Sequence, residues 1–284
     1  MGLGVGPEAQ AGAGIDLTVI SNAIHELRTM TPDEQLSAIG EINRYLAEMQ
    51  DRHAGKVVAM ACTAPCGGDG FLKELERAIT EDGLKGVIVT ASLQGAYPDD
   101  DEAEGFFDLM QRLDAPVMVH PPAIGFGEER MGDYRLASSV GRPFDNCLAL
   151  ARLIVRGIFE KFPKLKLIGS HLGGGICEII GRMDYAYELQ DETFFLGSYE
   201  PMLINKKPSE YLAMMYLDSV SYHLPAIRCV IDSIGVDHVL FGTDAPPLTS
   251  LKPKGLRLIR ALGLAPADEE KVLGGNAARL FKLG

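Results

Sequence analysis

Two histidines and an aspartate stand at the ends of apolar runs in this chain. His120 closes Ala115-Pro-Val-Met-Val-His, His171 closes Lys164-Leu-Lys-Leu-Ile-Gly-Ser-His ahead of Leu-Gly-Gly-Gly, and Asp244 closes His238-Val-Leu-Phe-Gly-Thr-Asp ahead of Ala-Pro-Pro. Each run reads as a buried strand, and residues at the C-terminal ends of parallel strands face the side on which α/β proteins do their chemistry. Neutral imidazole and carboxylate suit a borderline divalent cation, and imidazole also titrates near neutrality. The trio therefore points to a metal site or an acid–base site. The structural alternatives are a core histidine and a capping or turn aspartate. The glycines after His171 lack the Lys-Ser/Thr of a nucleotide loop and read as room for a substrate or metal beside the histidine.

The elements that must position these residues alternate. Short β-rich runs at 15–21, 56–62, 85–91, 116–120, 165–171, 213–220 and 238–243 are separated by helical patterns at 32–52, 71–81, 101–113, 146–161, 175–189, 225–233, 255–262 and 267–281. Strict βα alternation implies a parallel sheet, and strands apolar almost throughout are covered on both faces. No G-x-G-x-x-G follows the first run, which disfavours a doubly wound sheet. The expected fold is a (β/α)8 TIM barrel in a single domain spanning 15–284, after a glycine-rich segment 1–14 expected to be poorly ordered. Such a barrel needs eight strands, and seven are visible.

The 284 residues carry a formal net charge of -12, with no basic run. That excludes nucleic acid and anionic membrane surfaces as natural partners, and leaves small molecules. No membrane-length apolar stretch and no secretory signal is visible, so a cytoplasmic protein is expected. Five scattered cysteines suit reduced thiols, and the C-x3-C of Cys62 and Cys66 lacks the second pair a zinc knuckle needs. The acidic run 99–102 reads as a solvated helix start.

Several longer motifs go further. Residues 149–175, Lys207-Pro-Ser-Glu-Tyr-Leu, Leu217-Asp-Ser-Val-Ser-Tyr-His223, Val239-Leu-Phe-Gly-Thr-Asp244-Ala-Pro and Gly274-Gly-Asn-Ala-Ala-Arg-Leu, in this order and spacing, resemble the amidohydrolase-related family that contains aminocarboxymuconate-semialdehyde decarboxylase and the dihydroxybenzoate decarboxylases. The resemblance implies an amidohydrolase-type TIM barrel, commonly a homodimer, with one divalent metal, zinc or manganese. On it, His120 corresponds to a metal-ligand histidine, Asp244 to the ligand aspartate of the last strand with a catalytic part, and His171 to the catalytic histidine that moves a proton. His223 matches a histidine found after the seventh strand in the decarboxylase-like branch, where substrate contact and loop packing are both open readings. Asn22, His25 and Arg28 follow the first visible strand and would face the same mouth, Arg28 toward a substrate carboxylate. A solvated loop is the other reading of that trio.

The family's first strand carries His-x-His or Glu-x-His, two further ligands, and no two of the six histidines here are two apart. The strand missing from the count is the same strand, so the barrel is expected to lack or alter it. The function implied is non-oxidative decarboxylation of a small carboxylated or phenolic substrate. A hydrolase or hydratase on the same scaffold, or a metal-free binding subunit, is the alternative.

Overall fold

The computed structural model describes residues 14–123, 125, 127–192, 200–245 and 252–283. Most of the opening segment thus lies outside the described residues. The strands are β1 (Thr18–Ile20), β2 (Val57–Ala59), β3 (Ala61–Cys62), β4 (Val87–Thr90), β5 (Val117–His120), β6 (Leu167–Gly169), β7 (Tyr216–Asp218) and β8 (Val239–Leu240). β2 and β3 are one stretch of chain that changes partner at Met60. Met60 N–H donates to the Ile20 carbonyl at 2.9 Å, and Ala61 N–H donates to the Gly86 carbonyl at 2.8 Å. Seven strand positions result, all parallel, in the order β1, β2/β3, β4, β5, β6, β7, β8. Among the described residues no ladder joins β1 to β8.

The sheet nevertheless curls on itself. Met60, Ile168 and Leu240 are buried in one apolar cluster that Val19, Met118 and Tyr216 pack against, so β1 and β8, at opposite ends of the order, supply one interior. Their neighbours along each strand, Val117, Val119, Leu167, Leu217 and Val239, belong to the outer core under the helices. Because side chains alternate faces, the residue two beyond each inward apolar residue also points inward. Above Met118 stands His120, above Ile168 stands Ser170, and above Tyr216 stands Asp218. An apolar lower layer thus carries a polar upper one at the C-terminal ends. The lower end is closed by the C-terminal helix, whose Leu280 and Phe281 enter the interior cluster. Lys282 next to them pairs with Asp114, just before β5, at 2.7 Å.

Besides two short helical turns at Ile158–Lys161 and Pro208–Leu212, the α-helices among the described residues are α1 (Pro32–Arg52), α2 (Asp69–Thr80), α3 (Glu104–Leu113), α4 (Arg142–Val155), α5 (Ile176–Glu188), α6 (Leu224–Ile234), α7 (Lys252–Ala261), α8 (Pro266–Glu270) and α9 (Asn276–Leu280). α1 starts on a capping box: the Thr31 hydroxyl accepts from Glu34 N–H, and the Glu34 carboxylate accepts from Thr31 N–H at 2.8 Å. The helix expected at 146–161 begins instead at Arg142 and is broken at Gly157, whose φ is +72°. The helical pattern read at 267–281 is α8 and α9 joined by a π-helical turn, Lys271–Gly275.

Asp99 corrects the reading of 99–102 as a solvated helix start. It is buried and salt-bridged to Arg152 at 2.7 Å, while Asp100, Asp101 and Glu102 are exposed. All five cysteines are free thiols. Burial pushes Cys62 and Cys177 up to about 12 and Cys66 and Cys147 up to about 11, so these four stay protonated at neutral pH.

Candidate metal and proton-transfer site

His120 is the last residue of β5. Its Nδ1 lies 3.0 Å from the Pro121 carbonyl, which can only accept, so the ring hydrogen belongs on Nδ1 and Nε2 keeps its lone pair. That Nε2 faces His171 Nε2 at 3.4 Å.

His171 does not end the strand, as the apolar run suggested. β6 stops at Gly169, and His171 opens a tight turn in which it, Leu172, Gly173, Gly174 and Gly175 all have positive φ, from 53° to 97°. Left-handed backbone costs a non-glycine residue roughly 1 kcal/mol or more, so His171 and Leu172 are held there by surrounding contacts. Two of these are on the polar layer. His171 N–H donates to Asp218 Oδ1 at 2.9 Å, and the Ser170 carbonyl accepts from Asn146 Nδ2 at 2.6 Å.

Asp244 follows β8 and also has a positive φ, 51°. The residue before it is anchored by Tyr222, whose hydroxyl donates to the Thr243 carbonyl at 2.9 Å. Burial raises the Asp244 carboxyl above the usual carboxylate range, while the charges of His171 and Arg142 pull it back down. Burial likewise pushes the Tyr222 phenol up to about 12.

One ligand atom each from His120, His171 and Asp244 lies within 4.8 Å of the others. In a tetrahedral zinc site with bonds of ~2.05 Å, neighbouring donors are ~3.3 Å apart. The 3.4 Å between the two Nε2 atoms has that spacing, and two imidazoles with a carboxylate form a chemically apt donor set. The three residues therefore fit a divalent cation.

Other expected site residues fall differently. Asn22 spends its side-chain oxygen on Ile24 N–H at 3.0 Å, and Arg28 is exposed, its carbonyl accepting from Gln94 Nε2 at 2.9 Å. The His25 side chain lies outside what the structure describes. His223 is exposed at the start of α6, where its carbonyl accepts from Ala226 and Ile227 N–H. Neither Asn22, Arg28 nor His223 belongs to the donor cluster.

Two residues that sequence reasoning passed over stand beside the cluster: Asp218 and Arg142. Asp218 is buried, and burial raises its carboxyl; the His171 charge and two backbone N–H donors, Val220 and His171, oppose that. Its position at the end of β7 was the same signal that exposed His120. Arg142, at the start of α4, had no signal in spacing. Asp218→Ala should lose about 2–4 kcal/mol of stability, because two backbone N–H groups lose their acceptor, whereas Asp218→Asn keeps an oxygen there. Urea unfolding checks this; an Asp218→Ala protein as stable as wild type would show that the pair of bonds does not hold the turn.

Residues 21–283 match the Amidohydrolase family, and the chain belongs to it. It is 28% identical over 254 residues to a 2-amino-3-carboxymuconate-6-semialdehyde decarboxylase of Dictyostelium discoideum, covering 89% of this chain and 68% of the relative. The structure of 5-carboxyvanillate decarboxylase from Sphingomonas paucimobilis superposes with a TM-score of 0.87 at 23% identity, covering 98% of this chain and 82% of that one. A dihydroxybenzoic acid decarboxylase from Polaromonas, solved with bound manganese and 2-nitroresorcinol, superposes with a TM-score of 0.84 at 23% identity, covering 97% and 84%. The fold is thus the amidohydrolase-type barrel.

Proposed function

We propose that this chain is a metal-dependent non-oxidative decarboxylase of a small carboxylated or phenolic acid. The convergence of His120, His171 and Asp244 in an amidohydrolase-type barrel carries the reading. Relatives named as decarboxylases support the reaction class. His120 and Asp244 would hold zinc or manganese. Held there, the cation supplies Lewis-acid polarisation of a substrate oxygen. His171 supplies the proton: as the bond to the carboxylate breaks, its electron pair stays on the substrate carbon, that carbon takes the proton, and carbon dioxide leaves. The donor cluster favours this over a metal-free binding subunit. Asn22, His25, Arg28 and His223 are read as outer substrate contacts. The protein is taken to act as a homodimer in the cytoplasm, a dimer mass in light scattering being the check on assembly.

The test is direct. Protein supplied with manganese or zinc should hold about one ion per chain and release carbon dioxide from at least one of 2,6-dihydroxybenzoate, 5-carboxyvanillate and 2-amino-3-carboxymuconate semialdehyde. His120→Ala and Asp244→Ala should each lose the ion and the turnover. A loaded protein that releases no carbon dioxide from any aromatic or muconate acid would sink the reading.

A further inference from the structure

The sheet ladders stop just short of the two imidazoles. Their last bonds run from Ala91 N–H to the His120 carbonyl at 2.8 Å, above the β4–β5 pairing, and from Ser170 N–H to the Val119 carbonyl at 3.1 Å, above the β5–β6 pairing. Past these bonds Ser92 leaves the sheet and His171 enters its left-handed turn. Two consecutive residues of α4 take over on the two sides. Asn146 donates to the Ser170 carbonyl at 2.6 Å, next to His171, and Asp145 Oδ2 accepts from the Ser92 hydroxyl at 2.8 Å, next to Ala91. The other Asp145 oxygen, Oδ1, accepts from the Tyr97 hydroxyl at 2.5 Å. Burial and then the bond to Asp145 push the Tyr97 phenol above its ordinary range, so it keeps the proton it donates.

Asp145 is only 1% exposed, and the arginines of its own helix that reach carboxylates go to Asp99 and Asp101 instead. A buried carboxylate whose partners are two hydroxyls is a costly group, and its place in the first turn of α4 offsets only part of that cost. What the carboxylate adds is direction, since both of its oxygens are spent on the loop that follows β4. Neighbouring side chains on a helix diverge by about 100°, so Asp145 and Asn146 reach two different chains from one rigid element.

We propose that Asp145 is a positioning residue for the donor cluster: through Ser92 and Ala91 it sets the end of the His120 strand, while Asn146 beside it sets the His171 turn. The first turn of α4 thereby fixes the 3.4 Å gap between the two Nε2 atoms. This rests on His120 being a metal ligand. A ligand strand that drifts loses part of its bond to the ion, which is why the groups standing behind metal ligands matter to affinity.

The experiment is calorimetric titration of the full chain, stripped of metal by a chelator, with manganese, alongside melting curves of the same samples. The proteins compared are the wild type, Asp145→Ala, Asp145→Asn, Ser92→Ala and Tyr97→Phe. Asp145→Ala and Ser92→Ala should each weaken manganese binding about tenfold or more, the lower end of what partners behind metal ligands contribute. Asp145→Asn keeps an oxygen for Ser92 and can donate to Tyr97, so it should stay within about threefold of wild type. Tyr97→Phe removes the other bond to the same carboxylate; it should lower the melting temperature and leave manganese affinity within about twofold. If Asp145→Ala does not fold, Ser92→Ala and Tyr97→Phe still decide. Ser92→Ala binding manganese as tightly as wild type overturns the proposal, as does Tyr97→Phe weakening it as much as Ser92→Ala, the mark of a merely structural network. A wild type that takes up no manganese overturns it together with the metal reading. Manganese binding that depends on Ser92 but not on Tyr97, without carbon dioxide release, supports the positioning and defeats the decarboxylase reading alone. Carbon dioxide release with binding indifferent to Ser92 defeats the Asp145 assignment alone.

Discussion

His171→Asn lowers carbon dioxide release by about a thousandfold or more, the loss expected when a positioned proton donor is removed. The imidazole is the group that the whole turn serves. Its backbone N–H is held by Asp218, the carbonyl before it by Asn146, and its Nε2 stands 3.4 Å from His120 Nε2. Asparagine tolerates left-handed backbone better than most residues, so this substitution keeps the turn while deleting the titrating ring. Initial rates of carbon dioxide release, with bound metal measured on the same samples, check the result. Turnover gone from samples that keep the ion assigns the loss to the proton path, and turnover gone together with the ion assigns His171 to the donor set as well. Turnover within about tenfold of wild type would remove His171 from the proton path, because general acid–base groups contribute more than that.

Much of this arrangement was legible in the sequence because it follows from period two. Inward apolar residues at 118, 168 and 216 put His120, Ser170 and Asp218 one step above them, and strand ends in a parallel barrel face the mouth. The seven strand positions of the described residues are legible for the same reason: each apolar run lies between turn residues and amphipathic helices. What the sequence hid has two causes. Partner changes leave no periodic trace, so nothing in 56–62 marks Met60 as the point where the stretch passes from β1 to β4. Long-range pairing is also silent. Asp99 sits in an acidic run that looks solvated, and its burial depends on Arg152 and Arg156, more than fifty residues away. Asp145 is hidden in the same way, since its partners Ser92 and Tyr97 lie 53 and 48 residues earlier. The boundaries at His171 and Gly157 were displaced because positive φ can be read only from neighbours that compel it.

Gly174→Ala is expected to be the most destructive single change in the molecule. Its φ is +67°, and a Cβ there would stand 1.9 Å from the Pro143 carbonyl oxygen and 2.8 Å from Cys147 N, both on the backbone of α4. Backbone of a packed helix cannot yield as a side chain would, so α4 has to move or the turn has to open. Either way His171 leaves His120, and Asn146, one residue before Cys147, leaves Ser170. The cost should reach about 4 kcal/mol or more, which for a domain of this size is a fall in melting temperature of roughly 8 °C or more. Gly175→Ala is the control. It shares the left-handed backbone at φ +97°, yet the nearest atom to its added carbon is Glu178 Oε2 at 3.5 Å. That substitution bears only the conformational cost, about 1 kcal/mol. The difference between the two melting curves therefore isolates the contact with α4 from the strain of the turn. Equal losses at 174 and 175 would mean that the helix start does not press on the turn, and that the registration of His171 and Asn146 across this contact has another origin.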